Sequence, residues 1–238
     1  MPVSRARALV RMTRLTRQTV ATRRRLESAR RVSPDRPADV LPIGHAWARS
    51  VVDTIGLRLE VSGALPPGPA LWLANHRSYA DIPILLSQGP CAFLAKREIA
   101  DWPVFGPGAR LMHTVFVERG DPVSGKAARE AALALLERGV CFAAFPEGTT
   151  SRGPGVLPFH PGLFALAERH GFPIVPMAID YESPDDAWVD DDAFVPHFLR
   201  RFGRRRVPAR LSIGPRLEPG PADGLRRVTH EFIEDMLG

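Results

Sequence analysis

The feature that most constrains this chain is an alternation of short β-like runs with helix-like ones from about residue 57 onward. Leu57–Val61, Ala70–Ala74, Cys91–Ala95, Thr114–Val117, Val140–Phe145 and Ile174–Tyr181 are apolar, partly β-branched and bounded by Gly, Pro or polar residues, as strands are. Gly125–Arg138 carries alanine and leucine at helical spacing and stops at Gly139, and Pro161–His170 reads as a further helix. A last strand near Ala209–Gly214 and a last helix near Leu225–Leu237 follow. Such alternation makes an α/β sheet covered by helices. At 238 residues and 45% hydrophobic content the chain has material for a real core, which excludes a disordered or collagen-like polypeptide. Its two cysteines, Cys91 and Cys141, lie fifty residues apart, too far for a zinc knuckle and too few for a disulfide scaffold.

The formal charge of +6 is unevenly placed. Residues 1–36 hold eleven arginines against Glu27 and Asp35, residues 37–199 sum to −7, and residues 200–238 sum to +4. The protein reads as an acidic body with two basic ends. Near the first end, Leu9, Met12 and Leu15, with Thr16 and Val20 beside them, recur at roughly helical spacing among arginines. A basic amphipathic helix of this kind can lie on an anionic membrane surface, apolar side down; a solvated arm is the plainer alternative. Residues 1–40 are set apart on this ground as a membrane-interface segment, and 41–238 as the main domain. No apolar run approaches the ~20 residues that span a bilayer, nor is there the apolar stretch of a secretory signal. At the other end, FLRRFGRRRVPAR at 198–210 holds six arginines, all in the eleven positions 200–210. Nucleic acid is disfavoured as its partner, because no recognition-helix, zinc-finger or RNP signature is present and the acidic body would repel phosphate backbones. An anionic membrane or a solvated loop remain. The segment SPDDAWVDDD at 183–192 reads as an acidic, solvated loop.

Three apolar runs end in clusters that core packing does not require. In LWLANHRSYADIPIL a buried-type strand runs into Asn75 and His76, with Asp81 five positions on. Histidine is the usual general base near neutral pH, and a carboxylate on its far nitrogen would fix the tautomer and stabilise the imidazolium. Five positions do not share one face of a helix, so the pairing needs a strand, a turn and a helix start between them. TVFVERGD puts Glu118 and Arg119 at a second strand end, and VCFAAFPEGTTSRG puts Glu147, Gly148, Thr149, Thr150 and Ser151 at a third. Glycine there allows close backbone approach to an anion or oxyanion. Strand ends on one side of an α/β sheet are where ligands bind. The chain has no G-x-S-x-G elbow, no phosphate-binding G-x-x-x-x-G-K-[ST] loop and no H-E-x-x-H. A His–Asp pair without a partnered nucleophile suggests that the base activates a hydroxyl on the substrate itself.

NHRSYAD matches the N-H-x-x-x-x-D box of the glycerolipid acyltransferase family, whose best-known members acylate lysophosphatidic acid. FVER resembles that family's second motif, FPEGTTS its third and IVPMAI its fourth, in the family's order, and the resemblance spans about residues 57–215. It implies a single α/β domain with a mixed β-sheet covered by helices, preceded by the basic N-terminal helix. It also implies a peripheral, monotopic enzyme on the cytoplasmic face of the membrane. The reaction implied moves a fatty acyl group from acyl-CoA or acyl carrier protein to a lysolipid hydroxyl, with no cofactor, metal or covalent enzyme intermediate. His76 would take the hydroxyl proton and Asp81 would hold His76. Arg119, Glu147, Gly148, Thr149, Thr150 and Arg152 would serve the acceptor or the oxyanion, and Pro176 the wall of the acyl pocket.

One departure bears on the acceptor. Family members acting on phosphate-bearing acceptors usually read F-P-E-G-T-R-S, whereas Thr150 stands here in the arginine's place. Either Arg152 substitutes from two positions along, or the acceptor has no phosphate there. The leading expectation is 1-acyl-glycerol-3-phosphate, giving phosphatidic acid. The alternative is lyso-ornithine lipid or another non-phosphatidate lysolipid, because AKREIADWPVFGPGARL and the TT variant resemble the lyso-ornithine lipid branch. A non-catalytic membrane-surface binding protein is the reading from another class.

Overall fold

In a computed structural model, residues 3–189 and 192–237 are described. Asp190 and Asp191, in the acidic segment, lie outside them, as do Met1, Pro2 and Gly238. Among the described residues seven strands form one sheet: β1 (Leu57–Ser62), β2 (Leu71–Ala74), β3 (Cys91–Lys96), β4 (Val115–Val117), β5 (Cys141–Ala144), β6 (Ile174–Tyr181) and β7 (Val207–Ile213). Their order is β1-β7-β6-β2-β5-β3-β4. All neighbours are parallel except β6 and β7, which makes the sheet mixed. The α/β architecture thus stands as the alternation implied, with strand limits within two residues of those read from the sequence.

Eight helices accompany the sheet among the described residues: α1 (Arg5–Val32), α2 (Pro37–Ile55), α3 (Asp81–Leu86), α4 (Gly106–Leu111), α5 (Pro122–Glu137), α6 (Gly162–His170), α7 (Phe194–Arg201) and α8 (Ala222–Leu237). α5 begins where the Asp121 side chain accepts from Val123 N–H ahead of a first-turn proline. α6 stops at Gly171 in the left-handed conformation, φ 70°. The alternation offered no element for residues 37–55, where Pro42 and Gly44 look like breakers. Pro42 nonetheless sits inside α2, and Gly44 lets that helix approach Met112, whose Cε would lie 2.2 Å from an added Cβ.

Strand side chains alternate between two cores. Trp72, Ala74, Phe93, Ala143 and Met177 join residues of α2, α3 and α7 on one face. Leu71, Leu73, Phe142, Ala144 and Ala178 join residues of α5, α6 and α8 on the other.

α1 is a long basic helix, but its apolar stripe is covered by protein. Ala8, Leu15, Thr19 and Leu26 are buried and Met12 packs against the core beside Leu15, while Leu9, Val10 and Val32 look outward with Val3. Burying Leu15 and Leu26 contributes about 1.5–3 kcal/mol each. Thr19 Oγ1 accepts from the Trp47 indole at 3.0 Å and so ties α1 to α2. The position chosen to divide segment from domain, residue 40, lies inside α2. Arg11 donates to the carbonyls of Phe202, Arg204 and Arg205 (2.7–3.1 Å), and Arg7 to that of Gly203 (2.9 Å). The two arginine-rich ends therefore adjoin each other. No helix among the described residues is long and apolar enough to cross a membrane.

Two readings of charged segments are corrected. Arg201 is 2% exposed and Asp186 1%, and they face each other with Nε 3.7 Å from Oδ1, while Arg204 also pairs with Asp186. Part of the 198–210 cluster and part of the 183–192 segment thus form a buried ion network. Each looked solvated in sequence because its partner lies elsewhere in the chain.

Candidate active site

β2 delivers His76 to the carboxyl-terminal edge of the sheet. Asn75, fully buried, takes over as the strand stops: its side chain accepts from Ile179 N–H at 2.7 Å and donates to Ile179 C=O at 2.9 Å. It continues the ladder to β6 with a side chain, which frees the main chain to turn. The turn ends at Asp81, the first residue of α3, whose carboxylate reaches back to accept from the amides of Arg77 (2.6 Å) and Ser78 (2.7 Å). His76 Nδ1 lies 2.9 Å from the same oxygen. A carboxylate only accepts, so Nδ1 carries the proton and Nε2 is left as the basic nitrogen. The imidazole stacks on Phe145, with centroids 3.9 Å apart and planes 7° from parallel. Its side chain is 14% exposed and Asp81 is fully buried.

The loop after β5 closes the site from the adjacent strand. Glu147 accepts from His76 N–H at 2.7 Å through one oxygen, and from Leu157 N–H at 3.1 Å and the Ser151 hydroxyl at 3.4 Å through the other. Burial raises its pKa, opposed by those two backbone donors. Both oxygens are thus used by the protein, and Glu147 works as a clamp between loops. Gly148 has φ 71° and donates its N–H to Phe145 C=O, and an added Cβ would meet the His160 ring at 2.8 Å. Another residue there would be strained by the backbone angle and would crowd the His160 ring. Arg77, also buried, staples the 151–155 loop through Ser151 Oγ (2.7 Å) and the carbonyls of Pro154 and Gly155.

These groups open on a cavity of about 1360 Å³. Its lining includes apolar residues, Leu15 and Leu26 of α1, Trp47 and Val51 of α2, and Phe198 and Phe202, together with the polar His76, Lys96, Arg119, Thr149, Thr150 and His160. That volume exceeds the usual small-molecule pocket and suits a long apolar chain beside a polar head.

Of the residues singled out from sequence, His76, Arg119, Gly148, Thr149 and Thr150 line this cavity. Arg152 lies against Asp192 at 3.6 Å and Pro176 packs by Gly214 and Phe232, so neither joins the lining. β-alternation explains Pro176: it shares a sheet face with Ile174 and Ala178, the face covered by α8. Phe145 and Arg77 are not among the residues the motifs single out, although Arg77 follows His76 directly and Phe145 stands two positions before Glu147. Position next to a polar strand end was the available signal.

Comparison with known proteins gives a consistent picture. A family model described as Acyltransferase matches residues 58–180. A lyso-ornithine lipid O-acyltransferase of Pseudomonas aeruginosa is 34% identical over 200 residues, covering 80% of this chain and 76% of that protein. A 1-acyl-sn-glycerol-3-phosphate acyltransferase of Neisseria meningitidis is 36% identical over 135 residues, covering 56% and 53%. The crystal structure of the 1-acyl-sn-glycerophosphate (LPA) acyltransferase PlsC from Thermotoga maritima superposes with TM-score 0.64 at 24% identity, covering 84% of this chain and 79% of that one, and it shares the fold.

Proposed function

The chain belongs to the acyltransferase family, and we propose that the lysolipid hydroxyl it acylates is that of lyso-ornithine lipid. The enzyme is an O-acyltransferase with a lysolipid acceptor. The observation that carries the acceptor is Thr150 on the cavity wall, where phosphate-binding relatives place arginine, with Arg152 turned to Asp192 instead of the cavity. The long match to the Pseudomonas protein supports the same choice. It favours this acceptor over 1-acyl-glycerol-3-phosphate, the first expectation from the motifs.

In this reading His76 Nε2 takes the proton of the acceptor hydroxyl, and the oxygen attacks the thioester carbonyl of acyl-CoA or acyl carrier protein. Asp81 stabilises the imidazolium that forms. The tetrahedral intermediate collapses, the carbon–sulfur bond breaks, and the sulfur leaves with the proton from His76. The free thiol and the esterified lipid are the products. Thr149 and Thr150 face the oxyanion and the acceptor head, Arg119 draws an anionic group to the polar end, and Glu147 holds the His76 backbone in place.

An acceptor panel tests the choice. The expected kcat/KM for lyso-ornithine lipid exceeds that for 1-acyl-glycerol-3-phosphate by about 10-fold or more. Thr150→Arg should raise turnover of the phosphorylated acceptor by about 10-fold, since it supplies a bidentate phosphate ligand. A native preference for the phosphorylated acceptor, unaltered by Thr150→Arg, would point to phosphate binding elsewhere in the cavity. If no lysolipid releases thiol from the thioester, the binding-protein alternative takes over.

The same reading places the enzyme on an anionic bilayer through its joined basic ends. Arg5, Arg14, Arg17, Arg24 and Arg25 of α1 and Arg205 and Arg206 beside it are exposed. Deleting α1 would uncover Leu15 and Leu26, so the informative variant replaces exposed arginines by serine. Affinity for phosphatidylglycerol vesicles should fall about fivefold per arginine removed and fall again with salt. Equal binding to neutral phosphatidylcholine vesicles at any salt would leave these arginines as a solvated face.

A further inference from the structure

Asp81 has a fourth donor from outside its own loop. Its Oδ2 accepts from His76 Nδ1 and the amides of Arg77 and Ser78, while Oδ1 accepts from the Tyr181 hydroxyl at 2.5 Å. Tyr181 is the last residue of β6, and β6 runs parallel to β2, so the strand presents its hydroxyl at the same sheet edge as His76. The Arg201 guanidinium lies 4.2 Å from the centre of the Tyr181 ring and donates to Ser78 Oγ at 2.6 Å. Ring and turn are therefore held by one buried cation. Burial first, and then the Asp81 carboxylate, keep the Tyr181 phenol well above its ordinary pKa, so it remains a donor.

We propose that Tyr181 is a positioning residue for the His76–Asp81 pair: its hydroxyl fixes the rotation of the Asp81 carboxylate and draws off part of the charge that would otherwise reach the imidazole. The inference rests on the assignment of His76 as base. The charged and titratable groups facing this arrangement include Asp81 and Arg201 around Tyr181, Asp81 and Glu147 around His76, and Arg77 beside Glu147.

The experiment is Tyr181→Phe, which keeps the ring over Arg201 and removes only the hydroxyl. Turnover should fall about 10-fold, with KM for both substrates within about twofold. The acidic limb of the kcat profile should move to higher pH, because a carboxylate with one donor fewer stabilises the imidazolium more strongly. In an Asp81→Asn background, itself strongly impaired, the same change should cost almost nothing further. Native turnover and an unmoved limb in Tyr181→Phe, beside an impaired Asp81→Asn, overturn the inference and leave the base assignment standing. An equal loss in both backgrounds also overturns it, since Tyr181 would then act by another route. A fully active Asp81→Asn refutes the base assignment instead. Should Tyr181→Phe unfold, 3-fluorotyrosine at position 181 keeps ring and hydroxyl but donates more strongly. The limb then moves to lower pH, and an unmoved limb counts against the proposal.

Discussion

Replacing His76 by alanine should lower acyl transfer about 1000-fold, within the range that a positioned general base supplies, while the melting temperature stays essentially native. The first half follows from the geometry of the ring. With Nδ1 committed to Asp81 and one face stacked on Phe145, the imidazole has a single useful nitrogen, Nε2, held next to the cavity. Neither adjacent carboxylate replaces that nitrogen: both oxygens of Glu147 are occupied, and Asp81 is fully buried beneath the turn. The second half follows from what the substitution leaves behind. Asp81 loses one donor of four and keeps the amides of Arg77 and Ser78 and the Tyr181 hydroxyl, so no bare buried charge results. Thiol release from acyl-CoA or acyl carrier protein in the presence of lysolipid measures the first effect, and thermal unfolding the second. Near-native turnover in His76→Ala would end the base assignment.

Removing the buried counter-charge should destabilise the fold strongly. Asp186→Ala takes from Arg201, fully enclosed, the carboxylate that pairs with it among the described residues, and breaking a buried pair from one side costs about 3–5 kcal/mol. For a chain of this size that corresponds to a fall of roughly 10 °C in melting temperature. Arg201 would retain its contacts with Ser78 and Tyr181, which do not neutralise its charge. Adding Arg201→Met should recover much of the loss, because a neutral side chain in the same space carries no desolvation cost. Urea unfolding of the single and double variants decides the matter. A loss below about 1 kcal/mol in Asp186→Ala would mean that water reaches Arg201.

The sheet strands and the helices α5, α6 and α8 were legible in the sequence because each is announced locally. Val140–Phe145, which holds β5, is an apolar run between Gly139 and Pro146, and Pro122–Glu137 has helical spacing with a cap at one end and a glycine beyond the other. The pairing of His76 with Asp81 across a turn was legible for the same reason, since the turn and its helix start lie within six residues. α2 escaped because its packing outweighs the poor local propensity of Pro42 and Gly44.

Charge was the least legible property. Arg201 and Arg205 stand four residues apart in one basic cluster, yet the first is enclosed between Asp186, Ser78 and Tyr181 and the second is exposed. Nothing in their immediate neighbours distinguishes them, because the anion that buries Arg201 comes from another loop. Glu147 shows the same limit: its place in a strand-end motif was readable, but not that both its oxygens are occupied from within the fold.

The sequence by itself determined the α/β alternation, the strand ends that carry polar clusters and the acidic body between basic ends, since these are properties of short windows of chain. Only the tertiary structure decided which sheet face takes Pro176, which arginines are core, and that Tyr181 reaches Asp81 from a strand one hundred residues away. Those outcomes depend on which strands become neighbours, and strand pairing is settled by packing of the whole chain rather than by any segment of it.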